Sequence, residues 1–150
     1  NFDFALVESL QQQCFQHGLP AAHYLIFGGP GETPATVEEG LSNLDRLPGC
    51  VAFISAGLTV YPNTPLAELA QREKTFSDND FLTAAPYFSP DIDPAWLDRR
   101  LTEAVRGRRD RLYPPSAAAE RTEALRRMGY RGILWDTLIG SGRRGKRAAQ

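Results

Sequence analysis

Apolar and polar positions follow two rhythms along the first half of the chain. Over residues 4–17, Leu6, Val7, Leu10 and Cys14 recur at helical spacing, which predicts an amphipathic helix closed by Gly18. Residues 22–28 form instead a short apolar run without clean alternation, the pattern of a parallel strand covered on both faces. That run stops at Gly28-Gly29-Pro30-Gly31-Glu32, and Thr33-Pro34 initiates a helix. Val37, Leu41, Leu44 and Leu47 give residues 34–46 an apolar stripe, with Glu38 and Glu39 near the positive helix end. Pro48-Gly49 ends this helix, and residues 51–56 read as a second strand. Residues 57–63 turn the chain, Thr64 is placed as an N-cap, and Pro65 opens a further helix.

The order helix, strand, helix, strand, helix is that of a parallel α/β unit. Its two strand ends, residues 28–32 and 57–64, then open on one side. In barrels and open α/β sheets the carboxyl ends of parallel strands are where ligands bind, so this shared edge is the candidate site.

The second half is less regular at first. Residues 74–93 contain the turn-rich Ser77-Asp78-Asn79-Asp80 and an extended stretch, Pro86-Tyr87-Phe88-Ser89-Pro90. Asp93-Pro94 starts a helix expected to reach about Leu112, with Leu97, Leu101, Val105 and Leu112 inward and its arginines outward. Tyr113-Pro114-Pro115 ends it, and Ser116 is expected to cap another helix to Met128, stopped by Gly129. Residues 132–139 are apolar enough to dock on the rest, and the basic residues 140–150 are expected to be disordered. The resulting division is 1–76 as βα units, 77–139 as a mainly helical extension, and 140–150 as a tail.

Composition narrows the classes. No apolar run approaches the length of a membrane span, and no signal peptide is visible. Cys14 and Cys50 lie too far apart for a zinc or disulfide framework and read as buried thiols of a cytoplasmic protein. The net charge of −1 hides a division. Residues 1–93 hold three basic and twelve acidic side chains, whereas residues 94–150 hold fourteen basic and six acidic ones. The simplest account is that the two halves face each other; the alternative is a non-enzymatic α/β module that binds nucleic acid or an acidic partner through its basic helical half. With Asn1 first and Met128 the single methionine, the chain reads as a fragment cut inside a repeating βα pattern. The expected partner is then the upstream part of the same polypeptide, or a second copy through an uncovered sheet edge.

Candidate chemistry centres on the first glycine turn. It is not a Walker loop, because no lysine followed by Ser or Thr closes it, and it is not the dinucleotide fingerprint. Glycines after a strand let a backbone approach a ligand, but a tight turn can need them for geometry alone. His17 and His23 have no metal-ligand spacing and are assigned to the surface or the edge of the core. Tyr61 is placed at the mouth or in turn packing, and Trp96 and Trp135 are read as packing anchors.

Leu25-Ile26-Phe27-Gly28-Gly29-Pro30-Gly31-Glu32-Thr33 followed by a helix resembles the fifth-strand motif GxIxGxxE of radical S-adenosylmethionine enzymes. Gly57-Leu58-Thr59-Val60-Tyr61-Pro62-Asn63-Thr64-Pro65-Leu66 resembles their sixth-strand segment. Leu82, Pro86-Tyr87-Phe88 and Gly129-Tyr130 to Asp136 are similar to parts of the C-terminal extension of members that carry a cobalamin-binding domain. Leu25 stands where the motif's first glycine falls, Thr59 at an arginine position, and Asn63 at a glycine position.

The resemblance implies the C-terminal portion of a partial (β/α) barrel with an α-helical extension. It implies S-adenosylmethionine and a 4Fe–4S cluster in the parent enzyme, and cobalamin where the likeness to the cobalamin-associated members extends to the cofactor. The cluster's CxxxCxxC motif is absent from this chain, so the isolated fragment is expected to be inactive and to carry no cofactor. By the same resemblance Phe27 and Gly29 pack near the adenine, Gly28 belongs to the same cofactor-binding turn, Gly31 permits the close turn, and Glu32 braces the turn or the neighbouring strand end; on residue type alone Glu32 reads as a solvent-facing acid at the helix start. Leu58, Thr59 and Val60 offer backbone groups to the adenine edge.

Overall fold

The computed structural model describes residues 3–75 and 86–139. The turn-rich residues 77–80, Leu82 and the tail from Gly140 lie outside the described residues. The elements are α1 (Phe4–Gln16), β1 (Ala21–Phe27), α2 (Pro34–Asp45), β2 (Cys50–Ala56), β3 (Leu58–Thr59) and α3 (Pro65–Arg72), followed by β4 (Pro86–Tyr87), α4 (Pro94–Val105), β5 (Arg111–Leu112), α5 (Pro115–Arg127) and α6 (Leu134–Leu138).

The fold is mixed α/β, built on a parallel three-stranded sheet of order β1-β2-β5. β1 and β2 run in step over their whole length, from Ala21 opposite Cys50 to Phe27 opposite Ala56. A small antiparallel pair, β3 with β4, lies just past the end of β2. Among the described residues the sheet does not close into a barrel, and the outer edge of β1 has no strand beside it.

One face of the sheet is covered by α2 and α4. Val37, Leu41 and Leu44 from α2, Leu97 and Leu101 from α4, and Phe27, Ala52 and Ile54 from the strands form one core. Burying each of these leucines contributes about 1.5–3 kcal/mol relative to exposure. The opposite face is covered only in part. α5 and α6 close it over Val51, Phe53 and Leu112 through Ala118, Leu134, Trp135 and Leu138, the docking expected of residues 132–139. Beside them Tyr24 and Ile26 of β1 stay 73% and 56% exposed. The expectation of a first strand covered on both faces is therefore corrected: β1 is an edge strand, covered on one face alone.

Three further expectations change. The helix from Pro94 stops at Val105, not near Leu112. Gly107 follows with φ +75°, a conformation that ends helices, and Ala52 N–H then donates to Asp110 O at 2.8 Å. Arg111 and Leu112 thereby become a strand beside β2, and Arg111 is buried instead of facing outward. On α1, Leu6 and Leu10 are exposed, and the inward position is taken by Gln11. Its Nε2 donates to Pro48 O at 2.7 Å, and its Oε1 meets His23 Nε2 at 2.8 Å, so a polar side chain is satisfied inside. Finally, Ser116 lies within the first turn of α5, whose N-cap is Pro114 without a side-chain bond.

The charge division is used internally. Arg100 forks onto Glu38, with Nη2 to Oε2 at 2.7 Å, while Arg108 and Arg111 both reach Asp45, at 3.3 and 2.7 Å. These pairs join the basic half to the acidic half. The Arg100 bond holds the Glu38 carboxyl below its ordinary pKa.

Candidate functional site

Parallel pairing brings the ends of β1 and β2 to one edge, and the chain leaves that edge through two glycine turns. At the first, Gly28 and Gly31 have φ values of +93° and +74°, which disfavour any side chain. Glu32 turns back on this loop. Its Oε2 accepts the N–H of Gly28 and, at 3.0 Å, the N–H of Gly29. Thr33 then caps α2 through a capping box with Thr36. Glu32 is half-buried and braces the turn from within through these two bonds.

The second turn begins at Gly57, whose φ is +76° and whose N–H donates to Phe27 O at 2.7 Å. The neighbouring strand ends are thus tied together through backbone. Segment 86–89 lies across them. A Cβ placed on Gly57 would fall 2.7 Å from Pro86 Cβ and 2.8 Å from Phe88 Cζ. A Cβ on Gly28 would fall 2.8 Å from Phe88 Cδ1. Ser89 N–H donates to Gly28 O at 2.9 Å, and its buried Oγ has no hydrogen-bond partner among the described residues. Gly28 and Gly57 are therefore required by packing inside this chain.

The eight residues singled out in the sequence separate into two groups. Phe27 is 3% exposed, with its ring under Gly40 of α2, so at the edge it offers backbone alone. Val60 is buried with Ala67, Ala70 and Tyr87 in a small core beneath α3. Gly28 lies behind Phe88. Gly29, Gly31, Glu32, Leu58 and Thr59 form the outer rim. The two turns meet there, because a Cβ on Gly29 would lie 3.4 Å from Leu58 Cδ1. Space beside Gly31 is open, with nothing within 4 Å. Leu58 and Thr59 pair with Tyr87 and Pro86, which uses one side of that backbone.

The rim presents the peptide groups around Gly31, the Leu58 and Thr59 side chains and the Glu32 carboxylate, whose Oε2 is taken up by the turn's own amides. Among the described residues no group of three His, Cys, Asp or Glu side chains converges as metal ligands. Cys14 is half-buried on α1, and Cys50 is buried at the start of β2, where burial pushes its thiol pKa up. Neither arrangement fits an iron–sulfur cluster. His23 is lowered in pKa by burial, in keeping with a place at the core edge. Tyr61 is 66% exposed beyond the rim, and Trp96 packs against the main core.

Phe88 and Ser89, which form the back wall of the site, were not anticipated. Their flanking prolines marked an extended segment, but nothing in the local pattern said where it would lie. No helix is long and apolar enough to cross a membrane among the described residues. No family model, curated protein or solved structure matches the chain.

Proposed function

We propose that the chain is the C-terminal part of a radical S-adenosylmethionine enzyme, and that its strand-end rim supplies part of the pocket for the nucleoside of S-adenosylmethionine. The observation that carries this reading is the pair of glycine turns at the ends of two in-register parallel strands, in contact at Gly29 and Leu58. Glu32 takes up the Gly28 and Gly29 amides and so fixes the shape of the first turn, which leaves the open side at Gly31 to face a ligand.

The partial-barrel architecture belongs to the same proposal. Among the described residues β1 has a free outer edge and a largely uncovered face, as a strand does when a further parallel strand completes its sheet. α5 and α6 cover Val51 and Phe53, near the start of β2, and leave Ile26 exposed toward the rim. A barrel completed on that side would be plugged at its base and open at the strand ends.

In this reading Gly29, Gly31, Leu58 and Thr59 touch the nucleoside, while Phe27 and Val60 support them from below. S-adenosylmethionine bound at a cluster would supply the radical chemistry; the cluster ligands, and any cobalamin site, belong to other parts of the parent polypeptide. The rival role for the basic half, nucleic-acid binding, has less to explain once Arg100, Arg108 and Arg111 are paired within the chain.

The coding sequence upstream of residue 1 tests the proposal. It should encode CxxxCxxC in frame, and its absence would overturn the reading. In the full polypeptide, Gly29→Val should weaken S-adenosylmethionine binding without lowering cluster content.

A further inference from the structure

The face of the sheet away from the main core carries a second, differently built hollow. Tyr24 and Phe53 stack across β1 and β2, with ring centroids 4.9 Å apart and planes 17° from parallel. Trp135 meets Phe53 edge-on at 6.3 Å. With Leu125 of α5 and Ile133 and Leu134 they line a groove of ≈ 350 Å³. That volume falls within the range of small-molecule pockets.

The groove ends at Arg126 and Tyr130, and beyond them lies a hollow of ≈ 400 Å³ lined by Arg126, Tyr130, Arg131 and Gly132. Tyr130 OH donates to Ile133 O at 3.1 Å, and its ring takes the space that a side chain at Gly132 would fill. Arg126, Tyr130 and Gly132 line both hollows, so the apolar and cationic parts adjoin along the tyrosine. Arg127, one residue along, is paired with Glu123, whereas neither Arg126 nor Arg131 has a carboxylate partner among the described residues. A basic residue in the last turn of a helix favours the helix dipole, which accounts for Arg126. It does not account for Arg131, which follows the stop at Gly129.

We infer that this groove binds a flat aromatic ligand bearing one terminal anionic group, a carboxylate or a phosphate. The ring lies along Tyr24, Phe53 and Trp135, and the anion sits between the Arg126 and Arg131 guanidinium groups. Offset and edge-on aromatic contacts favour a planar ring, and arginine matches both anions through paired N–H donors. The inference does not use the strand-end rim, but Tyr24 lies on the face that the proposed barrel would close, so it concerns this chain by itself and its failure leaves the rim reading untouched.

Calorimetric titration of the full chain with four probes tests it: naphthyl phosphate, naphthoate, naphthol and inorganic phosphate. At least one anionic naphthalene should bind at one site per chain, at least about tenfold more tightly than naphthol or phosphate alone. The tighter of the two identifies phosphate or carboxylate as the preferred anion. Arg126→Ala with Arg131→Ala should reduce that affinity to the level of naphthol. Both positions are exposed, so the far-ultraviolet circular dichroism of this variant should be unchanged. Trp135→Phe should weaken both naphthol and the anionic naphthalenes. The inference is overturned if naphthol or phosphate alone binds as tightly as the anionic naphthalenes, if the folded double variant keeps full affinity, or if nothing saturates up to about 10 mM.

Discussion

The turn after β1 carries a brace of its own in addition to its contacts with segment 86–89, whereas the turn after β2 leans on that segment without such a brace. Glu32 gathers the Gly28 and Gly29 amides within five residues. Gly57 is enclosed by Pro86 and Phe88, and β3 pairs with β4, some thirty positions further on. A locally closed turn keeps its shape when distant parts loosen. A turn closed by docking shares the fate of the segment that docks. The rim at Gly29 and Leu58 therefore joins an element of local stability to one of borrowed stability.

The sharpest test of that contrast is Gly57→Ala set against Gly31→Ala. Both positions have positive φ, which costs a side chain about 1–2 kcal/mol. Only Gly57 would also drive a methyl group into Pro86 and Phe88, adding about 1–3 kcal/mol of overpacking. Urea denaturation should show the Gly57 variant losing roughly twice the stability of the Gly31 variant. Equal losses would mean that segment 86–89 does not hold the second turn.

Next in size is the loss of the brace itself. Glu32→Ala leaves two half-buried N–H groups without an acceptor, a cost of about 1–3 kcal/mol. Amide exchange at Gly28 and Gly29 should accelerate, while that at Leu58 stays as in the parent. Glu32→Gln keeps an acceptor and should fall between the two. If exchange quickened equally at both turns, the first would not be locally closed.

The borrowed turn should also respond to alkali. Tyr87 OH donates to Glu73 at 2.6 Å, joining β4 to the end of α3, and burial together with that carboxylate pushes the phenol up to about 12. The folded state thus holds the proton more tightly than the unfolded chain, in which a tyrosine titrates near 10. The contribution is complete below pH 10 and is lost as pH rises toward about 12. Tyr113, raised by burial and by Asp98, works in the same direction. Tyr87→Phe should flatten part of the alkaline stability loss, by about 1 kcal/mol or less, and remove its effect on Leu58 exchange.

Local signals were readable in the chain, and distant ones were not. Thr33-Pro34 and Thr64-Pro65 marked both helix starts, and Val37, Leu41 and Leu44 marked the buried stripe of α2, with Leu47 buried just past its end. The parallel pairing of β1 with β2 followed from the alternation of strands and helices. What was missed depends on where remote groups land. Leu112 fits the helical spacing of Leu97 and Leu101, but the open side of β2 takes it as a strand once Gly107 breaks the helix. Gln11 sits inside because Pro48 and His23 happen to satisfy it, which no periodicity reports. At the site, the glycines and Glu32 were legible, but the wall of Phe88 and Ser89 was not.

The smallest effects come from the two helix caps, and they test whether the turns are separate. Thr33 accepts the Thr36 N–H while Thr36 Oγ1 accepts the Thr33 N–H; Thr64 accepts the Ala67 N–H at 3.2 Å and donates to Tyr61 O at 2.7 Å. Each Thr→Ala change should cost about 0.5–2 kcal/mol, because a first-turn N–H loses its acceptor. The caps share no partner, so the double variant should lose the sum of the single losses within about 0.5 kcal/mol. A larger departure from additivity would show that strain in one turn reaches the other through the Phe27–Gly57 backbone bond. The rim would then be one mechanical unit and not two differently held halves, and a ligand bridging Gly29 and Leu58 would meet a surface stiffened from both sides.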